Sequence, residues 1–267
     1  MFGQDLIAHF RAFGYVVLRG LLDQREVAEL AGEVTAELMA AFGVIGAAPD
    51  TGGISGDYLP LTVDRAPLSQ ALMADDPRLY QGAASLIDSP AVPTPPIATC
   101  FTGNAGWHTD QGPAIGGLKY LAHLQSRTAA DGALRVIPGS HEPGFTARLL
   151  AYWRLDPATQ GFGGWPVPCV VLETEPGDVI AFDQHLWHSS SGGQQRLAWT
   201  VEYLPWPGPG DQDRMRTTRE LILDCADFDV DGWPAWREWV AGATSPSRRL
   251  AVERLRLLGV LDGGAAR

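Results

Sequence analysis

The sequence predicts one domain with a β core, a sandwich or a barrel, wrapped by helices from both ends. Three observations carry that prediction. Between residues 97 and 204, short β-type runs alternate with turn signals, while three- and four-residue apolar spacing is confined to the flanking segments. The 267 residues include 31 glycines and 20 prolines, a supply of turn formers that suits many short strands rather than a helix bundle. No repeat, low-complexity tract or linker divides the chain, and its length is ample for one hydrophobic core.

Taken in order, Met1 to Phe13 mixes Asp5, His9 and Arg11 with apolar residues and lacks the apolar region of a signal peptide. Tyr15, Val16, Val17 and Leu18 read as a short strand closed by Arg19 and Gly20. Residues 24–42 carry the clearest helix, with Val27, Leu30, Val34, Leu38, Ala41 and Phe42 on one apolar stripe. Asp23, followed three residues later by Glu26, predicts a capping box at its start. Residues 43–56, rich in Gly and Ala, read as a loop, and residues 66–87 as helix broken at Pro77. The predicted strands are 97–101, 118–125, 133–137, 169–173, 179–182 and 197–204. Between them stand Gly103-Asn104, Gly116-Gly117, Asp131-Gly132, Pro138-Gly139, Pro176-Gly177 and Gly192-Gly193. After Pro209 the helical pattern returns, with Ser245-Pro246 as N-cap and first-turn proline and Gly259 as the residue after the cap. The single domain thus has a helical N-terminal part over 1–96, a β core over 97–206 and C-terminal helices over 210–260.

Lys plus Arg number 20 and Asp plus Glu 31, a net charge of −11. That balance argues against nucleic acid as a main partner, since its binding needs a cationic face, and against an anionic membrane surface. No apolar run approaches the roughly 18 residues that span a bilayer. Cys100, Cys169 and Cys225 lie far apart, which fits the cytoplasm and excludes a disulfide framework or a thiolate zinc site. Monomer and homodimer are equally compatible with the sequence.

The chemistry therefore falls to six histidines and their neighbours. In Trp107-His108-Thr109-Asp110, an extended backbone projects His108 and Asp110 to one side, where both can meet one ion. A later Pro176-Gly177-Asp178 turn enters an apolar strand, and His185 and His188 follow its end. In an extended segment these two face opposite sides, so only one can point at a metal. Two imidazoles and one carboxylate are the ligand set of the non-haem Fe(II) facial triad, which leaves three positions open. Arg196, at the start of the next strand, is placed for a bidentate pair with a carboxylate co-substrate. Each feature alone has a plain structural explanation; their order along the chain is the signal. His9 and His123 lack ligand-type neighbours, and His141, in Pro138-Gly139-Ser140-His141, reads as closing a turn by hydrogen bonding.

Taken together, these segments resemble the phytanoyl-CoA dioxygenase family of Fe(II)/2-oxoglutarate-dependent oxygenases. The likeness rests on Phe13 to Leu22, on Trp107-His108-Thr109-Asp110-Gln111, on Asp131 to His141 and on Gly177 to His188. It implies a double-stranded β-helix (a jelly-roll, cupin-like) core. It implies His108, Asp110 and His188 as the catalytic iron ligands and Arg196, assisted by Ser190, as partner of the distal carboxylate of 2-oxoglutarate. Thr102, or alternatively Asn104, is expected near the chelating end. Relatives often carry a basic residue before the ligand motif; here residues 97–106 have none, and Lys119 is expected to compensate at the substrate. Retention of Asp110 disfavours the halogenase variant. Trp107 is expected to pack against the ligand beside it, with Gln111 and Tyr58 as further pocket candidates. Trp153 and Trp165 fall in a Gly- and Pro-rich insertion over 141–168 where a lid would form, while Trp233, Trp236 and Trp239 read as helix-packing residues.

The activity implied is oxidation of an unactivated C–H bond of a small molecule, with 2-oxoglutarate and O2 converted to succinate and CO2. Hydroxylation is the default outcome; desaturation, ring closure or epimerisation would use the same centre. Two other classes fit the triad: a non-redox metal enzyme and a non-catalytic jelly-roll. The first lacks a supporting HExxH helix, and the second has no use for an open metal face.

Overall fold

In the computed structural model, which describes residues 2–47, 54–61, 65–110, 115–153, 168–226 and 239–261, the alternating runs form two antiparallel sheets. The larger has seven strands. Its order is β1 (Tyr15–Leu18), β9 (Val179–Asp183), β6 (Leu118–His123), β11 (Arg196–Pro205), β4 (Ile97–Gly103) and β2 (Ile54–Pro60), with β3 (Ala91–Pro93) also pairing with β11. The smaller has four, in the order β5 (Ala105–His108), β10 (His188–Gly192), β7 (Asp131–Val136) and β8 (Val170–Leu172). The two sheets make a jelly-roll, the double-stranded β-helix of the cupin-like folds, and among the described residues they do not close into a barrel.

Period-two alternation sorts the larger sheet into two faces. Along β11, Leu197, Trp199, Val201 and Tyr203 turn to the helices: Trp199 donates its indole N–H to Ser69 Oγ and Tyr203 its hydroxyl to Met73 O. Arg196, Ala198, Thr200 and Glu202 take the opposite face, towards the smaller sheet. There Leu134, Val136, Leu172, Ile180, Phe182 and Leu186 form a separate core between the sheets. The larger core lies on the helical side. It joins α2 (Gln24–Phe42), α3 (Pro67–Ala74), α4 (Tyr80–Ile87) and α7 (Pro246–Leu257) to the outer face of the sheet.

The local signals act as the sequence predicts. Asp23 Oδ1 accepts from the Glu26 backbone N–H and the Glu26 carboxylate accepts from the Asp23 backbone N–H, a complete capping box. Ser245 caps α7 by accepting from the Arg248 N–H, and Gly259 follows its end at φ +69°. The Pro176–Asp178 turn has a structural purpose: Asp178 accepts from the Arg19 guanidinium (2.6 Å) and from the Gly20 and Glu175 backbone N–H groups, which ties β9 to the end of β1.

Several elements differ from the sequence reading. The helix α1 (Gln4–Phe13) precedes β1, and residues 54–56, read as loop, begin β2. The N-terminal part is not only helical, since β1, β2 and β3 belong to the larger sheet. The strands β5 and β10 were too short and too polar to register as alternation. The helices α5 (Pro143–Trp153) and α6 (Gln212–Ala226) occupy segments where the composition gave only an insertion and a general helical trend. Residues 154–167 of the expected lid segment lie outside the described residues, as do Gln111, Trp165, Trp233, Trp236 and the side chain of Trp153. Trp239 is buried and stacks under Arg248, 5.6 Å from its ring centroid. No helix of the described residues is long and apolar enough to cross a membrane.

Candidate metal centre

His108 closes β5 and His188 opens β10, and the two are directly opposite in the antiparallel register. Their ring centroids are 4.2 Å apart. Asp110 follows two residues after His108, its backbone N–H donating to Gln184 O at 3.0 Å. Its Oδ1 lies 3.4 Å from His188 Nε2 and 3.7 Å from His108 Nε2. One ligand atom from each residue lies within 4.8 Å of the other two.

Backbone carbonyls hold both rings. His108 Nδ1 sits 2.8 Å from Gly106 O, and His188 Nδ1 2.9 Å from Leu186 O. Each carbonyl accepts from the Nδ1 side of its ring, which turns the Nε2 of both imidazoles to the centre, where a metal would meet them. Burial, reinforced by His188, pushes the His108 imidazole below its ordinary pKa. His188 is fixed by the turn before it: the Trp187 N–H donates to Ser140 Oγ and the Ile137 N–H to Trp187 O. His185 lies within that turn, against Gly116 and 3.6 Å from Asp183, and takes no part in the cluster.

Behind Asp110, Lys119 Nζ reaches Oδ2 at 3.0 Å and Glu202 Oε1 at 3.3 Å. Burial opposes the Asp110 charge, but Lys119 and His188 outweigh it and hold the carboxyl well below the usual range. Burial likewise opposes the Lys119 charge, and Asp110 and Glu202 raise it above its ordinary value. The expectation of Lys119 as a cation for substrate is therefore corrected: its charge is already matched by two carboxylates.

Arg196 is buried with no carboxylate in ion-pair reach among the described residues. It donates Nη1 to Gly103 O at 2.7 Å and to Gly192 O. Burial, then Arg127 nearby, push its pKa below the ordinary guanidinium value. A buried cation without a counter-ion is costly, and an anionic ligand would offset that cost. Two glycines, Gly132 and Gly193, crowd its stem. At Gly132, at φ +76°, a Cβ would meet Arg196 Cδ at 2.5 Å.

The other expected residues divide. Ser190 is two residues along β10 from His188, paired with Leu134, and so faces the space between the sheets. Tyr58 pairs with Thr99 on that same inner face. Thr102 does not: it alternates with Phe101 and Gly103 onto the outer face, donating to Gly46 O and accepting from the Gln195 N–H. Asn104 is exposed and its Oδ1 accepts from the Gly192 N–H, which braces the strand ends. Trp107 alternates with His108 and faces away from it. His141 bonds Arg11 O, so it ties its turn to α1 rather than closing the turn.

Sequence reasoning missed Glu202 and Thr200. The buried Thr200 hydroxyl has no hydrogen-bond partner among the described residues. The signal was the alternation from Arg196, which puts polar Thr200 and Glu202 on one buried face.

The cluster fits a divalent metal: two oriented Nε2 atoms and one carboxylate oxygen are the donor set of the facial iron site. The unpaired Arg196 and the orphaned Thr200 hydroxyl fit a dicarboxylate in the same intersheet space.

Comparisons with known proteins agree. The sequence matches the family model described as phytanoyl-CoA dioxygenase (PhyH) over residues 10–196. No curated protein matches. Among solved structures, the non-haem α-ketoglutarate-dependent carbocyclase SnoK from nogalamycin biosynthesis is similar, with a TM-score of 0.61 at 18% identity, covering 77% of this chain and 85% of that one. The α-ketoglutarate-dependent epimerase SnoN from the same biosynthesis gives 0.58 at 20%, covering 76% and 83%. EctD from S. alaskensis, solved with 2-oxoglutarate and 5-hydroxyectoine, gives 0.53 at 22%, covering 77% of each chain. At these identities the likeness is one of fold.

Proposed function

We propose that this chain, which belongs to the phytanoyl-CoA dioxygenase family of Fe(II)/2-oxoglutarate-dependent oxygenases, hydroxylates an unactivated C–H bond of a small molecule, with 2-oxoglutarate and O2 converted to succinate and CO2. The observation that carries the reading is the His108–Asp110–His188 cluster in the same intersheet space as a buried Arg196 without a carboxylate partner. Iron(II) there supplies the O2 chemistry that acid–base side chains cannot perform. The chain's own residues do the rest. His108, Asp110 and His188 hold the metal on one face, and Arg196 binds the distal carboxylate of 2-oxoglutarate, with Ser190 and Thr200 as hydroxyl partners. Tyr58 lines the substrate side; Gln111, Trp153 and Trp165 are further candidates. The substrate is small and not strongly anionic, consistent with the chain's net charge of −11 and with the pairing of Lys119. The two cysteines described are free, which suits the reducing cytoplasm.

Epimerisation or ring closure is a second reading, favoured by the fold likeness to an epimerase and a carbocyclase. It places the same residues around the same centre and differs in how the substrate carbon is held.

The test is a small-molecule screen with Fe(II), ascorbate and 2-oxoglutarate, read as succinate formation, with product mass separating hydroxylation (one added oxygen) from epimerisation or ring closure. His108→Ala and Asp110→Ala should abolish succinate formation, including the slow turnover without substrate. Undiminished succinate in both variants, or none in the wild type, refutes the reading.

A further inference from the structure

Asp110 reaches the metal centre from the segment after β5, an edge strand. What fixes its carboxylate comes from the middle of the other sheet. Lys119 on β6 and Glu202 on β11 are directly opposite in the register of two central strands, and their side chains form an ion pair at 3.3 Å. From that frame, Lys119 Nζ extends to Asp110 Oδ2 at 3.0 Å. All three side chains are largely withdrawn from solvent, at 17% exposure for Lys119, 15% for Asp110 and 6% for Glu202. The other carboxylate oxygen, Oδ1, is the one facing the two Nε2 atoms.

We propose that Lys119, anchored by Glu202, is a positioning residue that holds Asp110 by Oδ2 so that the carboxylate meets the metal through Oδ1 alone. The inference rests on the metal-site reading above and adds to it the coordination mode of its carboxylate. Turning Asp110 so that both oxygens face the ion would draw Oδ2 away from the ammonium. A buried cation would then keep one partner instead of two, which the low local dielectric makes costly. The consequence is a count of open positions. A carboxylate bound through one oxygen leaves three positions for water, co-substrate and O2; bound through both, it leaves two. Lys119 thus protects the third position without touching substrate, unlike the substrate cation that the sequence suggests.

The count can be read without turnover. Mn(II) alone is the probe, and the measurement is water-proton relaxation enhancement at saturating Mn(II), which scales with metal-bound water. In Lys119→Met, which leaves Oδ2 free to bind, the enhancement per bound Mn(II) should fall by about one third, as three open positions become two. Lys119→Arg, which keeps a donor cation, should return it to the wild-type value. The double variant Lys119→Met/Glu202→Leu, which leaves no uncompensated carboxylate on β11, should lower it in the same direction. An unchanged enhancement in Lys119→Met overturns the proposal. If that variant does not fold, an unchanged enhancement in the double variant overturns it. Asp110→Ala separates this inference from the reading beneath it. Mn(II) binding at wild-type affinity in Asp110→Ala shows the metal site itself to be misassigned.

Discussion

Replacing Arg196 by methionine keeps most of the stem and removes the guanidinium. Nη1 is committed to Gly103 O and Gly192 O, and the remaining N–H groups have no partner among the described residues. That leaves the Nε–Nη2 edge, whose two parallel N–H bonds match one carboxylate. Two charge-assisted hydrogen bonds at about 1.5 kcal/mol each come to about 3 kcal/mol, or about a hundredfold in affinity. Folding should feel the change far less. The variant loses two bonds to carbonyls, but it also relieves a cation that burial and Arg127 already disfavour. These effects oppose each other, and the unfolding midpoint should stay within about 4 °C of wild type. Isothermal titration of 2-oxoglutarate into Mn(II)-loaded protein measures the first quantity, and a thermal melt the second. An unchanged dissociation constant would refute the assignment of Arg196 to the co-substrate. A collapse of stability with intact binding would instead make Arg196 a structural brace.

Two further outcomes follow from the same end of the sandwich. His123 is buried, its Nδ1 3.0 Å from Thr174 Oγ1. Burial first, then Arg127 and Arg196, push it down to about 3, so it is neutral in the folded protein at neutral pH. Its unfolded value is about 6.5, so below that pH the unfolded chain takes up a proton that the folded chain refuses. Stability contributed by the neutral group is present above about pH 6.5 and falls by up to about 1.4 kcal/mol per pH unit on acidification. His123→Asn should flatten that slope in urea melts between pH 6.5 and 4, and parallel slopes for the two proteins would count against it. Gly132→Ala should press a Cβ to 2.5 Å from Arg196 Cδ at a residue with φ +76°. The backbone strain costs about 1–2 kcal/mol of stability. A comparable loss at the displaced guanidinium weakens 2-oxoglutarate about tenfold. Wild-type affinity in that variant would show that Arg196 has room the packing does not suggest.

Where a sequence signal had a local cause, the structure follows it. The apolar stripe and capping box of α2 are properties of neighbouring residues, and so are Ser245-Pro246 before α7. His108, Asp110 and His188 come together because His188 faces His108 across the register and because the segment after β5, tied by the Asp110 N–H to Gln184 O, brings the carboxylate two residues on to the same centre. What was not legible depended on register or partner choice. The face of Thr102 followed from its pairing in β4, which turns it to Gly46 and Gln195. Lys119 looked like a free cation in one dimension; its two carboxylates come from residues nine positions before it and far after it, joined only by the sheet. The strands β5 and β10 are built from Ala, Gly, Ser, His and Trp and carry no period-two apolar signal, yet they hold both histidines of the cluster.

The facing of His108 and His188 has a mechanical side. β5 is the outer strand of the smaller sheet, four residues long, and among the described residues it pairs with β10 alone. Such a strand is among the first parts of a fold to fray. An ion held from both strands would act as a rivet across that ladder, so every opening of the edge would first have to release it. The free energy of loading the centre would thereby be added to the protection of this one strand. Catalytic readiness and the integrity of the sheet edge would become a single equilibrium.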